Sequence, residues 1–283
     1  MRSLGLSAAA ITLATATAAF AQDVTPKPVA LNLPGATVPK SDDKDRVGFS
    51  LSSGFDYSQG RYGDGKSTDI LVGLSSIGVT WRDFQFTASL PYLTITGPSF
   101  VVVGPGGVPV LVTPRKGEDS AGRSGWGDLN LSATYSLPSE DLNDFDIAVT
   151  ARTKVATADA GKGLSTGATD FSFYVDVSRQ FDLWGPFVNF GYRVPGKPSF
   201  YSFNDAPSFS VGSSLQLNDR LVAIASYDFD GSISTSLADA QQLFASLTWL
   251  ATDDLSLTAY TEKGLSSGAP SVGTGILISW KLR

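Results

Sequence analysis

The 283-residue chain has no histidine, no cysteine and a single methionine. Each absence removes chemistry. Without histidine, no serine or aspartate can be activated by an imidazole, so the Ser–His and Asp–His mechanisms cannot be built. Without cysteine there is no thiol nucleophile and no disulfide framework to hold an exported chain together. Losing both residue types also removes the ordinary zinc and iron ligand sets. Carboxylate pairs of the glycosidase kind remain available as a residue type, but the acidic residues are scattered over many segments. The chain is therefore not expected to be an enzyme or to carry a cofactor or a metal.

Long apolar runs are nearly absent as well. One follows Arg2 and spans Leu4 to Phe20. It is rich in Ala and Thr and falls short of the roughly 20 apolar residues a spanning helix needs. Ala19-Phe20-Ala21 closes it with the small-x-small pattern of signal cleavage, so residues 1–21 are expected to be an export signal and Gln22 the mature start. With no Cys at the cleavage point, a lipoprotein anchor is excluded. Later, Ser99 to Thr113 looks apolar but is broken by Gly104, Pro105, Gly106, Gly107 and Pro109. That glycine cluster lacks the following Lys-Ser/Thr of a phosphate loop, and Asp42-Asp43 and Asp253-Asp254 lack calcium-loop spacing. A net charge of −6 with 17% charged residues gives no basis for nucleic-acid binding or for disorder along the whole chain.

What the chain does have is alternation. Leu129, Leu131, Ala133, Tyr135 and Leu137 alternate with Asp128, Asn130, Ser132, Thr134 and Ser136; Phe171, Phe173, Val175 and Val177 alternate with Asp170, Ser172, Tyr174 and Asp176. A period of two gives a strand one apolar face and one polar face. About twelve such segments are predicted, at 46–59, 67–81, 84–96, 126–138, 144–157, 168–180, 186–196, 206–218, 220–231, 239–250, 254–264 and 271–282. In the second, the apolar phase changes near Ser75-Ser76, which predicts a β-bulge there. Connections alternate between short and long, with the longest spanning Gly97 to Gly125. Two valine-rich runs within it predict a β-hairpin projecting from the barrel.

Short turns on one side and long loops on the other are the habit of outer-membrane barrels. Trp81, Phe84, Trp184, Phe187, Trp249 and Trp280 fall beside the short turns, while Tyr57, Tyr92, Trp126, Tyr192 and Phe229 fall toward the other ends. These are two aromatic girdles. The expected fold is thus all-β: a single transmembrane antiparallel barrel of about twelve strands in an up-and-down meander over 45–283, preceded by a Pro-rich periplasmic or lumenal segment at 22–44. The rival is a soluble exported β-sandwich or barrel, in which Leu129, Leu131 and Phe173 would face inward.

In the barrel reading, the polar face of each strand lines the lumen. The candidate lumen-lining residues are Asp56, Arg152, Lys154, Asp170, Asp176, Asn189, Arg193, Asp228, Tyr260 and Glu262. Inward Arg and Lys beside inward Asp are suited to cross-strand ion pairs. Such pairs either line a solute path or brace a wet interior.

Some segments resemble a known family. Gly127-Asp128-Leu129-Asn130-Leu131 with Ala133-Thr134-Tyr135, Ser89-Leu90-Pro91-Tyr92, Thr166-Gly167-Ala168-Thr169-Asp170-Phe171, and Asn189-Phe190-Gly191-Tyr192-Arg193 are similar to landmarks of the phenol-degradation meta-pathway outer-membrane protein family. The resemblance covers roughly Asp69 to Gly196 and implies a β-barrel transporter. It carries over no binding residues. The terminal Trp280-Lys281-Leu282-Arg283 departs from the aromatic ending of many barrels.

The expected function is passive passage of small hydrophobic or aromatic solutes across the outer membrane of a Gram-negative bacterium. Expected partners are outer-membrane lipid, the solute and the barrel-assembly machinery during insertion. The alternative is a structural or surface-interaction barrel with a closed lumen.

Overall fold

The computed structural model describes residues 47–62, 66–98, 101–104, 109–111, 121–138, 144–198 and 202–282. The expected export signal and the 22–44 segment lie outside them. Among the described residues, no helix is long and apolar enough to cross a membrane. The crossing is made by strands.

The chain runs β1 (Val47–Gly60), β2 (Thr68–Trp81), β3 (Phe84–Ser89), β4 (Tyr92–Gly97), β5 (Val101–Val103), β6 (Pro109–Leu111), β7 (Ala121–Trp126) and β8 (Leu129–Leu137). It continues through β9 (Phe145–Val155), β10 (Asp170–Arg179), β11 (Trp184–Val194), β12 (Ala206–Asn218), β13 (Leu221–Asp230), β14 (Ala240–Leu250), β15 (Leu255–Gly264) and β16 (Val272–Leu282). Every pairing is antiparallel between neighbours, and β1 bonds to both β2 and β16, so the sheet closes on itself. β3 with β4 forms one stave of the barrel and β7 with β8 another, which gives twelve staves.

The barrel is apolar outside and polar inside. In β10, Phe171, Phe173 and Val175 are exposed, Phe173 at 52%, while Asp170, Ser172 and Asp176 are buried. Leu131 is exposed too. The soluble rival, with these side chains inward, is thereby ruled out. A surface of this kind is stable only against hydrocarbon, where closure leaves no backbone donor unpaired.

Two predicted strands prove to be broken staves. Pro91 has no N–H to give the ladder, and the third stave parts at Leu90-Pro91. It is held across the break by Leu90 N–H to Ser75 O (3.0 Å) and Gly127 N–H to Pro91 O (2.8 Å). Opposite it, Gly127, Asp128 and Leu129 face only Leu90 and Pro91, since Tyr92 pairs with Trp126 and Ser89 with Asn130. The extra residue is a bulge. Upstream of it the fourth stave reaches back to Ala121, beyond its predicted start. Trp126 and Tyr92 consequently stand within their staves, packed edge to face at 5.4 Å, and not at the outer ends.

No bulge exists at Ser75-Ser76. β2 keeps one register with β1 from Val47↔Trp81 to Gly60↔Thr68. The apolar phase changes because Ile70, Val72 and Leu74 point into the barrel, whereas Leu71 and Ile77 point out. Phe187 also departs from its predicted place in the girdle, being only 4% exposed on the inner face. Trp81, Phe84, Trp184, Trp249 and Trp280 do face outward beside the short turns.

Replacing Phe173 by Arg places a charge on the lipid face, at an expected cost of about 2–4 kcal/mol near the midplane. Loss of the heat-modifiable folded band on a semi-native gel is the expected result. Wild-type folding yield would contradict the inside-out assignment.

Candidate functional site

The interior toward the long loops is not uniformly polar. Ile70, Val72 and Leu74 of β2 and Leu93 and Ile95 of β4 form one buried apolar wall. Val103 of the β5–β6 hairpin and Leu164 of the 156–169 connection pack onto it, with Ala158 at its edge. A second cluster joins Val102 and Val110 of the same hairpin to Phe203, Ala206 and Ile233. The hairpin is therefore wedged between two parts of the mouth by its two faces. It does not project outward, as its valine-rich runs suggested from sequence.

One cation ties this arrangement together. Arg123 of β7 donates from Nε to Gly163 O (3.1 Å), from Nη1 to Pro98 O (3.3 Å) and from Nη2 to Val101 O. It thus binds the base of the hairpin and the 156–169 connection at once. Within that connection, a short 3-10 turn at Ala160–Lys162 is capped by Asp159 and ends on Gly163. The turn brings Leu164 onto the apolar wall.

Beneath the mouth lies an ionic joint. Lys154 Nζ is 2.7 Å from Asp128 Oδ2 and 2.9 Å from Asp170 Oδ2, and it donates to Ala168 O at 3.0 Å. Asp128 Oδ1 accepts the Thr157 and Ala158 amides at 3.0 and 2.9 Å, and Ser165 Oγ donates to Oδ2. Asp170 Oδ1 accepts the Gly196 amide at 2.7 Å. Both ends of the 156–169 connection are therefore bound to one aspartate. An ion pair this buried survives desolvation only because its remaining hydrogen-bonding positions are filled. Several segments that carry the family resemblance meet around this joint: Leu90-Pro91 across the stave break, Gly127-Asp128 at the bulge, and Thr166 to Asp170 around Lys154.

All ten predicted lumenal residues sit on inner faces and are buried. They form no single cluster. Lys154 and Asp170 belong to the joint. Arg152 lies over the Tyr174 ring at 5.2 Å. Asp176 accepts from Asn189 Nδ2 at 2.7 Å, its direct cross-strand partner. Arg193 reaches past β12 to Gly231 O (2.9 Å) and the Asp230 carboxylate (3.4 Å). Asp228 takes Ser226 Oγ at 3.2 Å. Asp56 accepts from Tyr260 Oη at 2.8 Å, and Glu262 Oε2 from Gln242 Nε2 at 3.4 Å.

Glycines make some of these contacts possible. Tyr260, Gly275 and Asp56 stand in one cross-strand row, and a Cβ on Gly275 would lie 2.2 Å from Tyr260 Oη. Glu262 lies in the same way across Gly273, whose Cβ would fall 2.2 Å from Oε1. Tyr62, folded back over Gly60, is buried as well. Burial first, and then the charge of Glu262, pushes its phenol well above the ordinary range.

Sequence reading missed Arg123, Asp230, Tyr62 and the role of Asp128. The signal was present for one of them: Asp128 follows a glycine at a phase change.

No family model matches the chain, and no curated protein does. Solved structures do. The KdgM porin superposes with a TM-score of 0.50 at 6% identity, covering 83% of this chain and 99% of that one. The NanC porin gives 0.46 at 10% identity, covering 83% and 100%. The CymD monoaromatic hydrocarbon channel gives 0.42 at 10% identity, covering 92% of each. At these identities the likeness is one of fold, and the fold is that of outer-membrane porin-like barrels.

Asp128→Ala removes one of two carboxylates from a buried ammonium and releases the 156–169 connection. A loss of about 3 kcal/mol is expected. It should appear as a lower heat-modifiability midpoint together with new protease cleavage between Thr157 and Ala168. An unchanged midpoint with no new cleavage would contradict the anchoring role.

Proposed function

We propose that this barrel is an outer-membrane channel for passive passage of small hydrophobic or aromatic solutes. The observation that supports it is the apolar wall of Ile70, Val72, Leu74, Leu93 and Ile95 on the inner face. Porin-type interiors are polar, and a run of inward aliphatic residues spends hydrophobic burial where a water-filled pore has no use for it. Apolar solutes are favoured where a cleft offers such surface with few polar groups. The resemblance to the phenol-degradation meta-pathway family points the same way. Passivity follows from the sequence, which has no recognisable nucleotide-binding or energy-coupling segment.

A second reading, a barrel with a closed lumen, is favoured by the same wall being covered. Val103 and Leu164 occupy it, and Arg123 holds both segments. The two readings differ in what happens when that cover is loosened.

Liposome swelling separates them. With purified protein, phenyl glucoside is expected to enter faster than the smaller methyl glucoside. A sieve without apolar preference reverses that order, and a sealed barrel passes neither. Arg123→Ala should raise both rates by freeing the hairpin. If Arg123→Ala passes no more solute than protein-free vesicles, the channel reading falls and the closed barrel stands.

A further inference from the structure

The joint around Lys154 has the parts of a condensation site as well as those of an ion pair. Lys154 and Asp170 face each other directly across β9 and β10, with Nζ 2.9 Å from Oδ2. The side chains of Lys154, Asp128 and Asp170 are 3%, 1% and 2% exposed. Cγ of Asp170 is one C–O bond from that oxygen, so the nitrogen stands near the roughly 3–3.5 Å from which a nucleophile attacks. Mutual attraction offsets only part of the cost of keeping the two charges from water. An amide between the same two side chains carries no charge and escapes that cost.

The two carboxylates differ in their surroundings, and that separates their roles. Asp128 is well supplied with donors. Its Oδ1 accepts the Thr157 and Ala158 amides, and its Oδ2 accepts from Ser165 Oγ and, at 2.7 Å, from Lys154 Nζ. These bonds support its charge and make its carbon a poor electrophile, but they leave Oδ2 against the amine, where it can take a proton. Asp170 is the reverse. Its Oδ1 accepts the Gly196 amide at 2.7 Å, an N–H placed to stabilise negative charge on that oxygen once the carbon is attacked. Its Oδ2 is buried and completes no hydrogen bond, so it is the oxygen free to leave. Ala168 O, at 3.0 Å, orients the Lys154 nitrogen between the two.

We propose that Lys154 and Asp170 condense into an intramolecular amide, with Asp128 as the proton carrier. The Lys154 ammonium passes one proton to Asp170 Oδ2, and its freed lone pair bonds to Cγ while charge gathers on Oδ1 against the Gly196 amide. Asp128 Oδ2 removes a second proton from the nitrogen and delivers it to Asp170 Oδ2, which leaves as water as the C–Oδ1 double bond re-forms. Both hydrogens of that water come from Lys154 and its oxygen from Asp170; nothing is oxidised or reduced, and Asp128 ends as it began. The bond closes the 156–169 connection into a covalent ring and fastens β9 to β10, in a chain whose lack of cysteine denies it a disulfide. The ion pair is the state before closure. None of this depends on what the barrel passes.

Mass spectrometry of the barrel purified from outer membranes is the test. The protein is expected to be lighter than its sequence mass by one water. Trypsin should release Thr153–Lys162 joined to Gly163–Arg179, uncut after Lys154. Lys154→Arg keeps the charge but cannot form the amide, and Asp170→Ala removes the carbon attacked; each should show its full sequence mass. Asp128→Asn keeps both partners and loses the proton carrier. Followed as the barrel refolds from inclusion bodies, its linkage should form about a hundredfold more slowly than in the wild type, the contribution of a positioned proton-transfer group. Full sequence mass in the folded wild-type barrel would overturn the proposal. So would a water loss mapping to Asp64-Gly65 or Asp230-Gly231, steps that can cyclise unaided, or linkage at an undiminished rate in folded Asp128→Asn.

Discussion

Hydrocarbon offers no hydrogen bonds, and that single deficit governs this molecule. A strand can cross a bilayer only if both of its edges are taken. Here the last edge is removed by β1 pairing with β16 from Phe49↔Leu282 to Gln59↔Val272. Once the ring is shut, no strand can slip by one residue, because a slip would turn an entire apolar face inward. Side chains on the inner face are thus held in rows at defined heights. The succession Glu262, Gly273, Ser58, Ile70 and Ile95 is such a row, and so is Tyr260, Gly275, Asp56, Val72 and Leu93. The juxtaposition of acid with aliphatic wall is a product of register.

Much of the fold was legible because alternation is local. Strands β9 to β16 lie within a few residues of their predicted bounds, and the inward direction of all ten lumenal candidates follows from counting by two. What was not legible depends on pairs of segments distant in sequence. Pro91 and the Gly127-Asp128 bulge face each other, and neither shows alone that a stave is broken. The phase change in β2 had two possible causes, a bulge or an apolar interior, and only the unbroken register with β1 separates them. Phe187 was placed in a girdle by its position near a turn, yet parity with Asn189 and Arg193 puts it inside. Ion-pair partners such as Asp230 for Arg193 span an intervening strand, which cross-strand reasoning between neighbours does not reach.

The mouth is stabilised in two different ways at once. The apolar contacts of Val103 and Leu164 contribute roughly 2 kcal/mol each by area, are non-directional and tolerate sliding. The Arg123 and Asp128 bonds are directional and do not. Together they place the hairpin while leaving its contact with the wall replaceable by any apolar surface of similar size. A mouth sealed only by polar bonds would lack that property.

The glycines of β16 have a consequence for the width of the bore. Because Gly273 and Gly275 present no side chain, Glu262 and Tyr260 lie flat along the wall instead of standing into the interior. Gly191 receives Tyr174 and Gly212 receives Phe187 in the same manner. The calibre of this tube is therefore written at positions with nothing on them. A related sequence with a methyl group at one of them would lift the overlying side chain off the wall and narrow the passage, leaving every strand in place.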